Sequence, residues 1–459
     1  MFEIIEAIIG LTLIYVALRY PPLIACIFLM FSMSQTFGMG AIFPGAISFI
    51  FSLMALMGTC VSFSKLWRCR KRNKITRRIF FIAVVAAIST LWTGLASFAG
   101  GGGGIIPIIN SMTNNGIFII IIVLAYWNSS WARKLIVLTI IIQLIISVAI
   151  IQLPDSPISI IKASMYNDVY SVDYDILKLE KPEYIRESGQ FLNSLQLSFY
   201  STAGIIIGLY ILLISLNFYQ RAIGLVLSLF ALQAFYLSFS RGGGLILFIG
   251  AILYAIWQPA KYRLVTSIFI FFITALALLM QSDISTFISD DPFLNYVIDK
   301  TSKTGSDELD RYRYQAIIDS LDLIISNPLF GTGGNNEIFA QGKFNLPHQA
   351  PLNSAVINGL PDGICVTILY WLILAGFLIQ IRQIVATKQS QHFINYQLID
   401  RNEVRLATII GLLVLIFGMT NQHAGKAFQY VCLGYACLPW IYTRAKNHIT
   451  RNATLIMIT

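Results

Sequence analysis

The chain has 459 residues, of which 56% are apolar and 12% are charged, whereas about a quarter of the residues in a typical soluble domain are charged. So few charges cannot cover the surface of a water-soluble globular enzyme, which excludes that class. The richness in Ile, Leu and Phe excludes a disordered chain. A polytopic membrane protein remains. Its net charge of +10 could indicate a nucleic-acid partner, but in a membrane protein basic residues also set the orientation of the spans. The positions of the charges must therefore be considered first.

Apolar stretches suited to membrane-spanning helices recur along the whole chain, since such a helix needs about 20 residues. The predicted spans, in chain order, are Ile4–Leu18, Leu23–Gly38, Ile42–Ser64, Ile79–Phe98, Gly116–Trp127, Leu135–Leu153, Ser198–Leu216, Ala222–Phe239, Gly242–Trp257, Leu264–Leu279, Gly363–Ile381, Leu406–Met419 and Phe428–Tyr442. Apolar runs such as Phe118–Leu124 do not alternate as the strands of a transmembrane β-barrel do. The sequence therefore predicts an all-α fold, a polytopic membrane bundle of about 12–14 transmembrane helices with a long, partly helical outer loop.

The basic residues are concentrated in one connection, residues 65–78, which carries eight of them and no acidic residue. Because positive charge is retained on the cytoplasmic side of a membrane protein, this connection is predicted to be cytoplasmic. Alternation of the spans then gives the inner connections 21 basic and two acidic residues, and leaves 11 basic and 20 acidic residues for all other positions. The net charge therefore describes orientation, and no nucleic-acid partner is expected.

This topology divides the chain into three regions. Residues 1–281 form the N-terminal transmembrane helices and include an outer loop at 155–197. Residues 282–352 form a large outer loop with an amphipathic helix near 308–327, and residues 353–459 form the C-terminal transmembrane helices and a cytoplasmic tail. Long loops on a rigid scaffold commonly carry function, so the outer face is where a functional site is expected.

Within the large outer loop, Glu308–Asn327 has the periodicity of an amphipathic helix that lies on the membrane surface. Its apolar stripe consists of Tyr314, Ile317, Ile318, Leu321, Ile324 and Ile325. Asp307 is suited to cap its start. Arg311 and Arg313 fall in the first turns, where the helix dipole disfavours positive charge. They therefore indicate an anionic ligand or, alternatively, ion pairs with the acidic residues of the same turns.

Arg241 is a second unusual cation. It lies in Ser240-Arg241-Gly242-Gly243-Gly244, a turn between two apolar spans that the charge pattern places at the outer face. An arginine at membrane depth is costly, its planar guanidinium suits phosphate oxygens, and glycines let a phosphate approach the backbone closely. The sequence thus indicates an anion site around Ser240, Arg241 and Gly242, and the alternative is an interfacial arginine that reaches to water.

His348 lies in Leu346-Pro347-His348-Gln349, at the outer membrane interface shortly before an apolar span. A neutral imidazole can accept the proton of a hydroxyl group at neutral pH, so His348 is a candidate general base; a structural loop histidine is the alternative. Asp362, near the outer end of the next span, could neutralise an arginine or orient a histidine.

Two further patterns bear on cofactors. The cysteines and histidines form no CxxC motif and no His/Cys pairing of the kind that binds zinc. The glycine run Gly100–Gly104 lacks the Lys-Ser/Thr ending of a phosphate-binding P-loop. No metal or nucleotide cofactor is therefore expected.

These elements, in this order, resemble the bacterial O-antigen polymerase and O-antigen ligase superfamily over about Phe239–Ile379. The resemblance rests on Ser-Arg-Gly at 240–242 and on a loop arginine before an amphipathic helix. It also rests on Asn327-Pro328-Leu329-Phe330-Gly331-Thr332-Gly333, which is similar to the family's Pro-Leu-x-Gly-x-Gly. Pro347-His348-Gln349 stands where the family usually has Pro-His-Asn, and Asn358-Gly359-Leu360 with its following span also looks like the family.

The resemblance implies a metal-independent glycosyltransferase at the periplasmic face of the bacterial cytoplasmic (inner) membrane. Its donor would be an undecaprenyl-diphosphate-linked glycan. Arg241 would bind the diphosphate, Arg311 or Arg313 would be the loop arginine that holds it, and His348 would activate the acceptor hydroxyl. Gln349, in place of the usual Asn, bears on how the acceptor is positioned.

Three activities are compatible with these features. The first is a polymerase that joins lipid-linked repeat units of a surface polysaccharide, O-antigen or capsule, with a chain-length regulator protein as a further partner. The second is a ligase that transfers the finished glycan to lipid A-core. The third, of a different class, is a transporter or flippase of lipid-linked sugars. Transporter sites lie near the bilayer midplane, whereas the unusual residues here gather on one face, which argues against the transporter. The sequence does not separate polymerase from ligase securely, and of these two we favour the polymerase.

Overall fold

A computed structural model describes residues 45–71, 74–100, 105–153, 194–215, 217–238, 307–333, 349–386, 401–420 and 426–441, with isolated positions elsewhere. These residues form helices and connecting turns, and no strand occurs among them. The helices are α1 (Gly45–Cys69), α2 (Lys74–Ala99), α3 (Ile105–Trp127), α4 (Ser129–Gln152), α5 (Ser194–Ile214), α6 (Phe218–Ser238), α7 (Asp307–Ser326), α8 (Ala350–Asn358), α9 (Leu360–Ala386), α10 (Arg401–Thr420) and α11 (Lys426–Ala436).

Six segments of the described helices are long and apolar enough to cross a membrane. They are Ile75–Ala99, Ser129–Gln152, Gln196–Ile214, Phe218–Ser238, Leu360–Arg382 and Asn402–Met419. Two shorter apolar segments, Asn115–Trp127 and Tyr430–Ile441, coincide with further predicted spans. The prediction of a polytopic, all-helical membrane protein is thus confirmed. The predicted spans Ile4–Leu18, Leu23–Gly38, Gly242–Trp257 and Leu264–Leu279 lie largely outside the described residues.

The start of α3 differs from the sequence prediction. The apolar pattern begins at Gly116, but the helix begins at Ile105 and includes several polar residues. Two of them are buried and hydrogen-bonded to neighbouring helices: Thr113 Oγ1 donates to the carbonyl of Ser52 at 3.0 Å, and Asn115 Nδ2 donates to Thr93 Oγ1 at 2.7 Å. Polar side chains that hydrogen-bond one another between helices are compatible with a membrane interior. A prediction from hydropathy alone therefore starts this helix too late in the sequence.

The chain divides into two compact units, of which the first comprises residues 1–32, 39–136 and 313–459. In this unit α3 contacts α1, α2 and α11, and its apolar run Ile117–Leu124 is buried. The later helix α9 contacts α2, α8, α10 and α11. The helices α2, α8 and α9, which carry the described part of the candidate site, therefore pack into one core.

Two cations of the first unit lie over the rings of tryptophans from other helices. Lys65 Nζ is 4.6 Å from the centroid of the Trp127 ring, and the Arg78 guanidinium is 5.4 Å from that of Trp440, distances at which a cation is attracted to the ring face. Each contact joins segments that the charge pattern predicts to meet at the cytoplasmic surface.

A buried carboxylate joins three more helix segments of the first unit. Glu403, at the start of α10, is almost fully buried and forms an ion pair with Arg133 of α4. The Tyr435 hydroxyl of α11 donates a hydrogen bond to the same carboxylate. A buried charge is retained only when it is paired and hydrogen-bonded, so this cluster fixes α4, α10 and α11 to one another.

The second unit comprises residues 33–38 and 137–312, and its best described part is the pair α5 and α6. The two backbones approach closely through glycines, since a Cβ placed at Gly208 would lie 2.8 Å from the carbonyl oxygen of Gly224. Small residues at such an interface are typical of membrane helices. The buried face of α6 consists of Gly224, Leu227, Ala231, Ala234 and Ser238.

Candidate functional site

The structure describes only part of the residues that the sequence marks as functional. Ser240, Arg241, Gly242 and His348 lie outside the described residues. Arg311 and Arg313 lie in the first turns of α7, which begins at Asp307 as the sequence predicts to within one residue, but their side chains are not described. Gln349 and Asp362 are described, and with them the segment that links α7 to its neighbours.

The segment 327–333, directly after α7, is a tight turn. The amide of Gly331 donates to the carbonyl of Asn327 at 2.9 Å, and the amide of Gly333 donates to the carbonyl of Phe330 at 3.2 Å. Gly331 and Gly333 have φ angles of 60° and 62°, in the left-handed region that residues with a Cβ avoid. The glycines of this motif are therefore required by the path of the backbone.

The same turn is hydrogen-bonded to the junction between α8 and α9. The amides of Thr332 and Gly333 donate to the carbonyls of Val356 and Ile357, both at 2.9 Å, and the amide of Leu360 donates to the carbonyl of Pro328 at 2.8 Å. We call residues 327–333 and 356–360, held together in this way, the glycine clasp. It joins the end of α7 to the helix pair that follows Gln349.

Gly359 makes the clasp this tight. Its φ angle is 91°, and a Cβ placed on it would lie 1.9 Å from the carbonyl oxygen of Leu329. No side chain fits in that space, because real Cβ atoms do not approach other heavy atoms so closely. Gly359 in the motif Asn358-Gly359-Leu360 is thus required by backbone contact.

Helix α2 packs against the glycine clasp. Trp92 Nε1 donates to the carbonyl of Leu329 at 2.9 Å, and its ring stacks on Phe330 with centroids 5.7 Å apart. At the end of α2, a Cβ placed on Gly100 would lie 2.4 Å from the Cα of Gly333. The start of the glycine run at residues 100–104 therefore serves close backbone packing against the clasp.

Gln349 occupies the residue before α8 and is covalently joined to His348. Its extended backbone (φ −78°, ψ 121°) leads into the helix, and its carbonyl accepts the amide of Asn353 at 2.8 Å. Its side-chain oxygen Oε1 and the hydroxyl of Thr332 in the clasp are buried without a hydrogen-bond partner among the described residues. Buried polar atoms normally find partners, so both groups are suited to bind a polar ligand or water.

Asp362 lies at the start of α9 and is fully buried. Its Oδ1 accepts a hydrogen bond from Ser89 Oγ of α2 at 2.5 Å, and its Oδ2 accepts one from Asn358 Nδ2 of α8 at 2.7 Å. The carboxylate therefore connects three helices directly beneath the glycine clasp. An ionisable group inside a membrane-spanning segment is costly unless such partners satisfy it.

Polar contacts continue from Asp362 toward α3. Thr93 Oγ1 donates to the carbonyl of Ser89 at 2.8 Å and accepts the side-chain amide of Asn115. The sequence does not mark Ser89 or Trp92 as residues of this candidate site, and it marks Asn358 only as part of the motif Asn358-Gly359-Leu360. Serine and asparagine in apolar helices carry only a weak signal, and nothing local shows that they meet one carboxylate.

The described residues contain no group of three or more His, Cys, Asp or Glu side chains that could hold a metal ion. At the candidate site, the described polar groups are hydroxyls, amides and the carboxylate of Asp362, which already accepts two hydrogen bonds. At this site, Gln349 Oε1 and the Thr332 hydroxyl are the described buried groups left to hydrogen-bond a neutral polar group.

Comparison with known families locates one match. Residues 223–365 match a family model described as O-Antigen ligase. The match begins in α6, includes all the predicted site residues and ends in α9, three residues after Asp362. It supports the O-antigen polymerase and ligase superfamily that the sequence resembles, and in general an activity of that type with a lipid-linked glycan and an acceptor as substrates. No curated protein matches the chain.

Proposed function

We propose that this multi-pass membrane protein is a glycosyltransferase that polymerises undecaprenyl-diphosphate-linked oligosaccharide repeat units of a surface polysaccharide, O-antigen or capsule. It would act without a metal at the periplasmic face of the bacterial cytoplasmic membrane. The observation that carries the transferase activity, which polymerase and ligase share, is the family match over residues 223–365. The glycine clasp adds support, because it gives a structural reason for two of the motifs on which the resemblance rests.

The donor diphosphate is assigned to the arginines. Arg241, with Ser240 and Gly242 beside it, would bind the diphosphate, and Arg311 or Arg313 would stabilise it from the start of α7. A guanidinium offers paired N–H donors that match phosphate oxygens. Two such groups can stabilise the negative charge that develops on the leaving group, which is the role that a metal ion has in other phosphate chemistry.

The acceptor is assigned to the residues around His348. In the transfer step, the acceptor hydroxyl oxygen forms a bond with the anomeric carbon of the donor sugar, and the bond between that carbon and the diphosphate oxygen breaks. His348 takes the hydroxyl proton as general base, and undecaprenyl diphosphate leaves with the electron pair of the broken bond. Gln349, with its unpaired buried oxygen, would orient the acceptor.

Asp362 is proposed to support this acceptor region as a positioning residue. Both of its oxygens accept hydrogen bonds from protein groups, and the side chain is fully buried. It would therefore act on the substrate site through Asn358 and the α8–α9 junction, by holding α8 and with it Gln349. Effective catalysis depends on such fixed geometry.

A ligase that transfers the lipid-linked glycan to lipid A-core is the second candidate, and the description of the matching family model as O-Antigen ligase favours it. Donor, arginines and base would be the same, so the two activities differ only in the acceptor. A transporter or flippase of lipid-linked sugars is the alternative of a different class.

The acceptor experiment separates these activities. Purified full-length protein is incubated with lipid-diphosphate repeat units alone, and separately with lipid A-core added. We expect glycans longer than one repeat unit without lipid A-core. A single transfer that occurs only with lipid A-core would indicate the ligase. Translocation of the lipid-linked sugar in liposomes without any covalent product would indicate the transporter and overturn the proposal.

A further inference from the structure

Helix α7 packs on the protein through its small residues. Ala316 and Ser320 are buried, whereas Tyr314, Leu321 and Ile325 have relative exposures of 66%, 48% and 75%. At roughly 100° of rotation per residue, the three exposed residues fall within about 40° of one another and lie on the side away from Ala316 and Ser320. The apolar stripe of this helix therefore faces outward.

The polar residues of α7 flank this stripe. Gln315 Nε2 donates to Asp319 Oδ1 at 2.7 Å along one flank, and Asp322 is exposed on the same flank. A helix with an outward apolar face and a polar flank has the pattern of a helix that lies in a membrane surface. A helix in water would turn its apolar face inward.

The stripe is continuous with a surface that contacts lipid. At the end of α7, Leu329 and Phe330 are also exposed, and both contact Trp92 of α2. Beside Trp92, the exposed face of α2 consists of Phe81, Ile88, Leu91, Leu95 and Phe98. Because α2 is long and apolar enough to span the membrane, we expect this face to lie against lipid, and the exposed apolar surface extends from it along α7.

The position of Trp92 along α2 gives the depth of this contact. The basic residues Arg77 and Arg78 mark one membrane surface near the start of α2. The 14 residues from Arg78 to Trp92 span about 21 Å, and the hydrocarbon layer is about 30 Å thick. Trp92 therefore lies beyond the bilayer midplane, in the leaflet opposite the basic end of α2.

We infer that α7 docks on the bilayer, with Tyr314, Leu321 and Ile325 inserted among the lipids of the leaflet opposite the basic end of α2. The lipid surface is the occupant because the stripe continues the exposed apolar side of a helix suited to span the membrane, in the leaflet opposite the basic end of that helix. This inference does not depend on which reaction the protein catalyses.

The test uses photo-crosslinking in the full-length protein. A benzoylphenylalanine is introduced at Leu321 or Ile325, or at the adjacent exposed position Asp322 as the matched control, and each protein is illuminated in nanodiscs of defined phospholipid. We expect phospholipid adducts by mass spectrometry at positions 321 and 325, and at least about fivefold fewer at 322, since only the stripe reaches the acyl chains.

Two outcomes would overturn the inference. Equal adduct yields at the three positions would mean that the stripe has no special contact with lipid. Cross-links to a second copy of the chain, in place of lipid adducts, would mean that the stripe is a protein interface. Because two stripe positions are used, a variant that fails to fold at one position leaves the other to decide.

Discussion

The carboxylate of Asp362 receives hydrogen bonds from Ser89 and Asn358, residues that are distant from each other in the sequence. A hydrogen bond to a charged group contributes about 1.5–3 kcal/mol, and both oxygens are engaged in a fully buried position. The sequence indicates that Asp362 is unusual, but its contact with Ser89 follows only from the packing of α2 against α9.

We predict that Ser89→Ala lowers the free energy of unfolding by about 1.5–3 kcal/mol, because it leaves one oxygen of the buried carboxylate without its donor. Transfer activity should fall through kcat more than through KM, since the variant disturbs positioning rather than substrate contact. The measurements are denaturant unfolding in micelles and steady-state kinetics.

The matched control for this prediction is Thr90→Ala at the adjacent position. The buried Thr90 hydroxyl donates only to the carbonyl of Ala86 in its own helix, so its loss should change stability by about 1 kcal/mol or less. Equal effects of the two substitutions on stability and on kcat would contradict the positioning role of Asp362.

At the scale of elements, the glycine clasp is the contact that holds α7, α8 and α2 together. Gly359→Ala should lower the free energy of unfolding by more than about 1–3 kcal/mol, the usual penalty of a left-handed non-glycine residue, because its Cβ also collides with the Leu329 carbonyl. Transfer activity should be lost with it. Gly376→Ala, in the interior of α9 and with its nearest contact at 3.1 Å, is the control and should retain activity.

The ion pair between Arg133 and Glu403 should contribute more to the free energy of unfolding than the adjacent exposed cation Lys134. Breaking a buried pair costs about 3–5 kcal/mol, and the 32% exposure of Arg133 reduces this to about 1–3 kcal/mol. We expect Arg133→Ala to lower the free energy of unfolding by that amount, and Lys134→Ala, whose cation lies near the Trp131 ring, to change it by less than about 1 kcal/mol. Glu403→Gln removes the buried charge that Arg133→Ala leaves unpaired. If the double variant is no more stable than Arg133→Ala alone, loss of the ion pair is not the cause of the lower free energy of unfolding.

The sequence predicts that a helix forms more readily than it predicts which other helices that helix contacts. The periodicity of 308–327 predicts α7 nearly to its ends, because an apolar stripe is a local property. The start of α3 is missed by 11 residues because its polar residues are satisfied by α1 and α2. The clasp follows from left-handed glycines and long-range backbone contacts, of which the motif Pro-Leu-x-Gly-x-Gly gives only the residue types.

At the scale of the whole molecule, the charge pattern predicts that residues 65–78 are cytoplasmic and that the loops at 155–197 and 282–352 are external. The described contacts of Lys65, Arg78 and Arg133 join helix ends that this topology assigns to one side. A phosphatase reporter, which is active only outside the cytoplasm, should be active when fused at residue 180 and inactive when fused at residue 71. The reverse pattern would invert the topology and move the proposed site to the cytoplasmic face.

We propose that the protein transfers a glycan from a lipid diphosphate with His348 as general base. The most direct measurement is the rate at which purified wild-type protein and His348→Ala release undecaprenyl diphosphate from lipid-linked repeat units as longer glycan forms. We expect steady release by the wild type and a rate at least about 100-fold lower for His348→Ala, with unchanged expression and unfolding. Equal rates for the two proteins, or the absence of any glycan product from the wild type, would contradict it.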